Sequence, residues 1–301
     1  MQQIREGIYY GLESGVPIEV AEKKPGDHVT DADLWVNGFL RFHLRPALQR
    51  GDIHWLSEDD GNAGGIAPKP PQDRRPTFFV DPWDGTNAFR ELYNKRLSGE
   101  APADEPLVSG VSICLAFVEP DRPHKTFAIV GMPFTPEGPL LYKIDASGVA
   151  RYGPAEDDSM GPPVMLEVPQ LRQGVEHGVI MSRATSKEFG ADLNNTGLKP
   201  IVSGLGGAGC AIALIDPVLR QHYIPDFNED QMQIVANIMR GYPWDCATGY
   251  VLSTLHGLLA RRWNGDEVDI YEARRGATFW LPGADQISKV TDILKSQTLP
   301  Y

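Results

Sequence analysis

The residues best placed to do chemistry lie in one short stretch, Asp-Pro-Trp-Asp-Gly-Thr at positions 81–86. A β-branched and aromatic run at 77–80 precedes it and predicts a buried strand that delivers Asp81 to its end. The Asp-Gly pair predicts a sharp turn, and Thr86 is predicted to be the N-cap of a helix. Carboxylates beside a helix N-terminus suit Mg²⁺ and a phosphate group. An ordinary turn and helix cap would use the same residues, so only other positions can separate the two interpretations.

The composition is typical of a globular protein of 301 residues, with 42% hydrophobic residues, and this length predicts two lobes. The net charge of −12 argues against a nucleic acid polymer as partner, because no basic run neutralises phosphates. No apolar run approaches the roughly 18 residues that span a bilayer, so no membrane association is expected. The N-terminus lacks a secretory apolar core, and three well-separated cysteines favour reduced thiols. These features together predict a cytoplasmic protein.

The first lobe is predicted to span residues 1–155, with helices followed by an antiparallel meander. Helices are predicted at residues 1–22 and from 34 to Pro46, which closes or kinks the second one. Strands are predicted at residues 53–56, 77–80, 107–118, 126–132, 140–144 and 149–152. Residues 23–28 are predicted to form a turn, and residues 60–76 and 93–106 to form loops, because they are rich in Gly, Pro and charge. Whether the two loops become ordered on ligand binding is left open.

The second lobe is predicted to span residues 165–301, after a hinge at 153–165. Its helices and strands alternate, which favours a layered α/β arrangement. Strands are predicted at 178–181, 200–202, 232–239, 258–262 and 278–281, and helices at 186–194, from the glycine cluster 204–209 to 215, at 244–255 and at 284–295.

Further acidic residues lie where strands or loops meet helices. Glu58 and Asp59 end a predicted strand, whereas Asp33 and Asp245 each begin a predicted helix. Each position alone has a routine explanation, since Asp near a helix start interacts favourably with the helix dipole. Their set and order along the chain favour a shared function.

In this order the motifs resemble those of the inositol monophosphatase family. That family belongs to a lithium-sensitive, magnesium-dependent phosphatase superfamily with 3′(2′),5′-bisphosphate nucleotidases and fructose-bisphosphatases. The resemblance runs from Lys24 to the last helix, and its main motifs are Val-Thr-Asp-Ala-Asp (29–33), Leu-Ser-Glu-Asp (56–59), Asp-Pro-Trp-Asp-Gly-Thr (81–86) and Trp-Asp-Cys-Ala-Thr-Gly (244–249). Met-Ser-Arg (181–183) and Gly-Gly-Ala (206–208) resemble the family's second-lobe markers for the substrate side.

The resemblance implies an α/β fold, a five-layered αβαβα sandwich, with two or three Mg²⁺ ions as cofactor and Mn²⁺ as an alternative. Glu58, Asp81 and the main-chain carbonyl of Trp83 would bind the first metal. Asp81, Asp84 and Asp245 would bind the second. A pair of metals can stabilise both the attacking and the leaving oxygen of an in-line displacement at phosphorus.

The same resemblance implies the remaining site residues. Thr86, hydrogen-bonded to Asp33, would together with Glu58 position and activate the attacking water. The N–H groups of Gly85 and Thr86 would hold phosphate oxygens. The substrate side would be formed by Ser182, Gly206, Gly207 and Ala208.

The chain departs from the family pattern on the substrate side. Asp59 replaces the usual second Glu, and Ile238 stands where inositol-specific members carry a sugar-binding Glu on a gap-free count. Residues 215–230 resemble an insertion, and we hypothesise that Arg220, His222 and Tyr223 within it cover part of a leaving-group pocket or an oligomer interface. A surface loop without a role explains the insertion equally well.

The predicted function is a Mg²⁺-dependent phosphomonoesterase that hydrolyses a small sugar, cyclitol or nucleotide phosphate with metal-activated water. A 3′(2′),5′-bisphosphate nucleotidase is the alternative enzyme. The non-enzyme alternative is a degenerate relative that binds metal and phosphate for regulation. Such a protein would be recognised by the replacement of one of the metal-binding carboxylate residues. The expected partners are a small phosphorylated substrate and a second copy of the chain in a homodimer, which is a family expectation only.

Overall fold

The computed structural model describes residues 2–15, 20–24, 27–60, 71–102, 107–155, 159–224, 226–272 and 276–295. The chain divides into two compact units, Met1–Met165 and Leu166–Tyr301. Each unit has a large sheet with helices packed against it. This mixed α/β architecture confirms the predicted fold class. Within the described residues, every helix is too short or too polar to cross a membrane.

The first unit contains three helices, a small hairpin and a seven-stranded sheet. The helices are α1 (Gln2–Glu13), α2 (Asp31–Leu48) and α3 (Thr86–Leu97), and the hairpin pairs β1 (Val20–Lys24) with β2 (Asp27–Thr30). The sheet follows chain order: β3 (His54–Ser57), β4 (Thr77–Asp84), β5 (Ser112–Val118), β6 (Phe127–Thr135), β7 (Gly138–Asp145), β8 (Gly148–Tyr152) and β9 (Val164–Leu166). Strands β3 and β4 are parallel, whereas β4 to β8 form an antiparallel meander, as the strand spacing predicts.

The second unit contains a five-stranded mixed sheet and five helices. Its strands are β10 (Glu176–Met181), β11 (Leu198–Val202), β12 (Met232–Met239), β13 (Leu259–Arg262) and β14 (Ala277–Trp280), in the order β11-β10-β12-β14-β13. Strands β11, β10 and β12 are parallel to one another, and β14 is antiparallel to both its neighbours. The helices are α4 (Arg183–Asn194), α5 (Gly207–Ala213), α6 (Pro217–Tyr223), α7 (Pro243–His256) and α8 (Ile287–Lys295).

Several predicted boundaries in the first unit are wrong. Helix α1 ends at Glu13, and Val20, assigned to the same helix by its apolar spacing, begins strand β1. The predicted turn at 23–28 is narrower, because β1 and β2 occupy most of it. Helix α3 continues into the predicted loop 93–106, since Phe89 and Tyr93 lie one turn apart and are both buried. Residues 61–70 and 103–106 of the two predicted loops lie outside the described residues.

An aromatic cluster fixes the chain next to the acidic motif. The Trp83 side chain is 1% exposed, and its ring packs edge-on against Phe89 with a centroid distance of 5.0 Å. Phe134 stacks on Phe89 at 5.5 Å, and burial of each large ring contributes about 2 kcal/mol or more to folding. Because the Trp83 ring is locked in the core, the backbone between the two aspartates of the motif has little freedom.

Candidate metal and phosphate site

Two acidic residues of the first unit come together at the carboxyl edge of β3 and β4. Ser57, the last residue of β3, pairs with Val80 in this parallel ladder, and the Glu58 N–H donates to the Val80 carbonyl at 3.1 Å, so Glu58 lies beside Asp81 as β4 continues to Asp84. Carboxylate oxygens of Glu58 and Asp81 approach within 4.8 Å of each other. Asp81 is 2% exposed, whereas Glu58 is half-buried. The sequence prediction that these two residues share a site is consistent with this geometry.

The donor set at this edge fits a divalent cation. Glu58 and Asp81 both offer carboxylate oxygens. Asp81 accepts a hydrogen bond from the Trp83 N–H at 3.2 Å, which orients one carboxylate oxygen. Two carboxylates this close, one of them buried, repel each other unless a positive charge lies nearby. Hard cations such as Mg²⁺ and Ca²⁺ use oxygen ligands of this kind.

Asp84 is oriented by a residue that the sequence analysis missed. The Ser112 hydroxyl donates to Asp84 Oδ2 at 3.3 Å, because β4 and β5 pair these two residues directly. Ser112 is fully buried and Asp84 is half-buried, so the hydrogen bond fixes the carboxylate on its buried side while part of the Asp84 side chain stays exposed. The two residues are 28 positions apart, and only the strand register could have revealed their pairing.

Asp33 links the start of α2 to the start of α3. Its Oδ2 accepts hydrogen bonds from the Thr30 N–H at 2.8 Å and from the Thr30 hydroxyl, which forms the capping box of α2. Its Oδ1 accepts from the Thr86 hydroxyl at 3.1 Å. Asp33 is 3% exposed, so a buried carboxylate lies directly behind the Thr86 oxygen. The predicted Asp33–Thr86 hydrogen bond is therefore present.

The prediction that Thr86 is the N-cap of α3 is wrong. Gly85 is the N-cap: its carbonyl accepts the first helical hydrogen bond, from the Phe89 N–H at 3.2 Å. Its φ of 103° lies in the region that only glycine adopts readily. This turn frees the Thr86 hydroxyl from capping, and it contacts Asp33 and the Trp83 carbonyl, the latter at 2.8 Å. The first N–H groups of α3 have no helical acceptor and suit an anion.

In the second unit, the predicted substrate residues and Asp245 follow the carboxyl ends of three adjacent parallel strands. Ser182 follows β10, Gly206 follows β11, and Asp245 comes soon after β12. Ligands of open α/β sheets bind outside such carboxyl ends. Ser182 caps α4 by accepting the Thr185 N–H at 3.2 Å, while Gly206 is the N-cap of α5 and is followed by Gly207 and the buried Ala208.

The backbone around Asp245 is tightly constrained. Asp245 Oδ2 accepts the Tyr242 N–H at 2.5 Å, in a capping box at the start of α7. Four residues later, Gly249 touches the Phe279 ring so closely that a Cβ there would lie 2.6 Å from it. Burial raises the pKa of the adjacent Cys246 thiol, and the Asp245 carboxylate adds to this effect. Cys246 is therefore held as a neutral thiol.

One departure on the substrate side takes on a different meaning in the structure. Ile238 is 1% exposed within β12, so it belongs to the core and not to a substrate wall. Arg240, directly after the same strand, is exposed and forms an ion pair with Glu188 at 2.8 Å.

The predicted insertion at 215–230 contains helix α6, which the sequence analysis missed although Asp216-Pro217 is a cap and first-turn signal. The Arg220 guanidinium donates to the carbonyls of Ala213 and Leu214, and Tyr223 is 9% exposed. Arg220 and Tyr223 thus stabilise the second unit itself, while His222 is exposed.

Comparison with known proteins identifies the family. A model of the inositol monophosphatase family matches residues 9–278, and the chain therefore belongs to this family of phosphatases. By class the protein is accordingly a phosphomonoesterase. No curated protein matches the chain.

Solved structures confirm the fold. A staphylococcal inositol monophosphatase-1, in a lithium-soaked inhibitory complex, is 17% identical with a TM-score of 0.61, over 98% of this chain and 91% of that one. An IMPase/NADP phosphatase complexed with Mg²⁺ and phosphate is 17% identical with a TM-score of 0.62, over 98% and 92%. A dual-specific IMPase/NADP phosphatase bound to D-inositol-1-phosphate is 16% identical with a TM-score of 0.61, over the same shares.

Proposed function

We propose that this chain hydrolyses the phosphate monoester of a small sugar, cyclitol or nucleotide, with Mg²⁺ as cofactor and water as nucleophile. The observation that carries the proposal is the close approach of the Glu58 and Asp81 carboxylates, with Asp81 2% exposed, at the same edge where Gly85 begins α3. A buried carboxylate pair suits cations, and the adjacent helix start suits the phosphate that those cations accompany.

The proposed metal ligands divide into two sets that share Asp81. Glu58, Asp81 and the Trp83 carbonyl form the first set, and Asp81, Asp84 and Asp245 form the second. Asp245 enters through the family motif and its place at the carboxyl edge of the second sheet. When bound, divalent cations would neutralise the negative charge of the phosphate and lower the pKa of a coordinated water. Two or three Mg²⁺ ions are proposed, and Mn²⁺ has the same preference for oxygen ligands.

Asp33, Thr86 and Glu58 are the proposed groups that handle the proton of the attacking water. The Thr86 hydroxyl donates to Asp33 at 3.1 Å and thereby keeps its lone pairs available to accept a hydrogen bond from the attacking water. When that water gives its proton to Thr86, the Thr86 proton would pass to the Asp33 carboxylate. The negative charge of Asp33 strengthens the Thr86 oxygen as an acceptor. Glu58, half-buried at the same edge, would share this role as general base.

Phosphate oxygens are proposed to lie against the N–H groups of Gly85 and Thr86. These groups belong to the start of α3, where the helix dipole favours a negative charge. The remainder of the substrate would contact the edge formed by Ser182, Gly206, Gly207 and Ala208. Position 238 is a buried isoleucine, so it does not supply the sugar-binding carboxylate expected of inositol-specific members.

A 3′(2′),5′-bisphosphate nucleotidase is a second candidate. It is favoured by the solved neighbours described as IMPase/NADP phosphatases, since NADP carries a phosphate on its adenosine ribose. Localisation in the cytoplasm is also proposed, because Cys114, Cys210 and Cys246 are buried thiols and none of them is in a disulfide within the described residues.

The test is phosphate release from a panel of monoesters by protein stripped of metal with a chelator and then supplied with Mg²⁺. The panel contains inositol 1-phosphate, fructose 1,6-bisphosphate, NADP, adenosine 3′,5′-bisphosphate and 5′-AMP. We expect turnover of at least one member that requires Mg²⁺ and is inhibited by Li⁺. Preference for the adenosine bisphosphate would select the second candidate. Turnover that persists in the chelator would refute the metal-dependent mechanism.

A further inference from the structure

A cavity of about 340 Å³ lies at the amino end of β12, within the second unit. Its lining comes from residues that precede β10, from α6 and the segment after it, and from the first two residues of β12, Met232 and Gln233. The predicted insertion supplies three of the lining residues, Arg220, Phe227 and Glu229. This volume falls in the range of roughly 300–1,000 Å³ that is typical of small-molecule sites.

The cavity is separate from the proposed substrate edge of this sheet. Strand β12 spans eight residues, Met232–Met239, or roughly 25 Å at about 3.3 Å per residue. The cavity lies at the first of these residues, whereas Asp245 and Ser182 follow the carboxyl ends of β12 and of its parallel neighbour β10. A ligand in the cavity would therefore not occupy the substrate edge.

One wall of the cavity is an ion pair with little freedom to move. The Arg220 side chain is 12% exposed, and its Nη1 donates to the carbonyls of Ala213 and Leu214 at 3.0 and 3.3 Å. Its Nη2 donates to Glu229 Oε1 at 2.9 Å, and its guanidinium lies over the Phe227 ring. These contacts hold the Glu229 carboxylate through one oxygen. Within the described residues the other oxygen, Oε2, has no hydrogen-bond donor, and the Glu229 side chain is 40% exposed.

A second wall is the guanidinium of Arg172, which is also fixed in place. Its Nη2 donates to the carbonyls of Glu229 and Met232 at 2.6 and 2.9 Å. The Arg172 N–H donates to Gln233 Oε1 at 2.8 Å, and Gln233 in turn donates to the Gln170 carbonyl. Since Gln233 is 6% exposed, this clamp is anchored in the core. Arg172 is exposed, and its Nε and Nη1 atoms contact no acceptor in the part of the chain that the structure describes.

The free groups of the two walls define the ligand. Arg220 and Glu229 form a pair, so the Arg172 charge is left over and favours a carboxylate, which accepts from guanidinium N–H groups. Glu229 Oε2 can only accept, which favours an ammonium group on the ligand. The Phe227 ring and the Met232 thioether offer an apolar surface to the remainder of the ligand.

These groups lie close enough for one small molecule to reach them all. The Arg172 guanidinium contacts the main-chain carbonyl of Glu229, so the free cation and the free carboxylate oxygen are separated by about the length of one residue. The carboxylate and ammonium groups of an α-amino acid share one carbon atom and can bridge such a gap. Inorganic phosphate, in contrast, carries only negative charge and would be repelled by Glu229. We propose that this cavity binds an α-amino acid with an apolar side chain.

The test is isothermal titration calorimetry of the full chain in a chelator, so that no ligand binds through a metal ion. L-phenylalanine and L-leucine are the probes, and we expect at least one of them to bind with a stoichiometry of one. Its relatives that lack the ammonium group (3-phenylpropanoate or 4-methylpentanoate) or the carboxylate (2-phenylethylamine or 3-methylbutylamine) should bind at least about tenfold more weakly. Inorganic phosphate should not bind.

Substitutions in the cavity walls locate the site. Glu229→Gln keeps an oxygen for Arg220 and removes the charge that faces the ammonium group. It should weaken amino-acid binding at least about tenfold and leave the relative without an ammonium group bound no more weakly. Arg172→Gln should weaken the binding of both. Glu176→Gln is the matched control and should bind normally, because Glu176 is an exposed residue of β10 outside the cavity and pairs with Lys199.

Circular dichroism checks that each variant is folded, and Glu229→Gln decides by itself if Arg172→Gln does not fold. The proposal is overturned if neither amino acid binds at millimolar concentration, or if phosphate or the relative without a carboxylate binds as tightly as the amino acid. Amino-acid binding that Glu229→Gln leaves intact would also overturn it.

Discussion

Replacing Asp33 by Asn should separate catalysis from folding. The Asn side chain keeps one acceptor, and it can place that oxygen towards the Thr30 N–H and hydroxyl, which are the two donors on the Oδ2 side. Its amide nitrogen then faces Thr86 Oγ1, which changes from donor to acceptor at this contact. The Thr86 proton moves to the Trp83 carbonyl, already 2.8 Å away. Every group remains paired, but the negative charge behind Thr86 is lost.

The expected magnitudes follow from these contacts. Hydrogen bonds to a charged group contribute about 1.5–3 kcal/mol and neutral ones about 0.5–1.5 kcal/mol, while relief of the buried charge offsets part of the difference. The free energy of unfolding of Asp33→Asn should therefore fall by about 1 kcal/mol. Loss of proton handling at the attacking water should lower kcat by about 100-fold or more. The substrate KM should change little, since the N–H groups at the start of α3 remain in place.

The assay is steady-state phosphate release with saturating Mg²⁺, alongside urea unfolding. Thr30→Val is the matched control: it removes a hydroxyl from the other side of Asp33 and leaves the Asp33–Thr86 hydrogen bond intact. It should cost a similar amount of stability and keep activity within about threefold. If Asp33→Asn keeps near-normal kcat, or if Thr30→Val loses as much activity, then Asp33 acts only as a helix cap.

Three further changes test other parts of the structure. Gly249→Ala should cost about 1–3 kcal/mol in urea unfolding, because its Cβ would lie 2.6 Å from the Phe279 ring; an unchanged midpoint would contradict this packing. Gly85→Ala should cost about 1–2 kcal/mol and lower kcat, because φ is 103° there; normal activity would show that the turn tolerates a side chain. The Lys143 ammonium and the Ser147 hydroxyl lower the pKa of Asp145 to about 2. The resulting stabilisation of the folded state is present above the unfolded pKa near 4 and is lost as the pH falls towards 2. Asp145→Asn should therefore lower the free energy of unfolding by less than about 1 kcal/mol at pH 7, because the pair is partly exposed, and the loss should shrink between pH 5 and pH 3. A loss that is the same at every pH would refute this linkage.

Local chain chemistry predicted much of the candidate site. Asp81, Asp84 and Gly85 are close in sequence, so their proximity in space follows from the strand and turn that they form. The Asp33–Thr86 hydrogen bond spans 53 positions, and only the family resemblance anticipated it. Thr86 was assigned as a cap from residue type alone, and the left-handed turn at Gly85 shifts the cap by one residue.

Features that depend on register or burial were harder to predict. Ser112 reaches Asp84 through the β4–β5 ladder, which local sequence does not encode. Ile238 was compared with a family position by counting, but strand β12 places it in the core. Helix α6 has a clear Asp-Pro start, but its seven residues are too few for hydrophobic periodicity to indicate a helix.

The central claim is that carboxylates at the β3–β4 edge hold the cation on which phosphate release depends. The most direct measurement is the Mg²⁺ dependence of phosphate release by metal-stripped wild type, Asp84→Asn and Asp73→Asn. Asp73 is an exposed aspartate that pairs only with nearby Arg75 in the part of the chain that the structure describes, and its variant should match wild type. Asp84→Asn should require far more Mg²⁺ or lose turnover altogether. Wild-type Mg²⁺ dependence in Asp84→Asn would contradict the account.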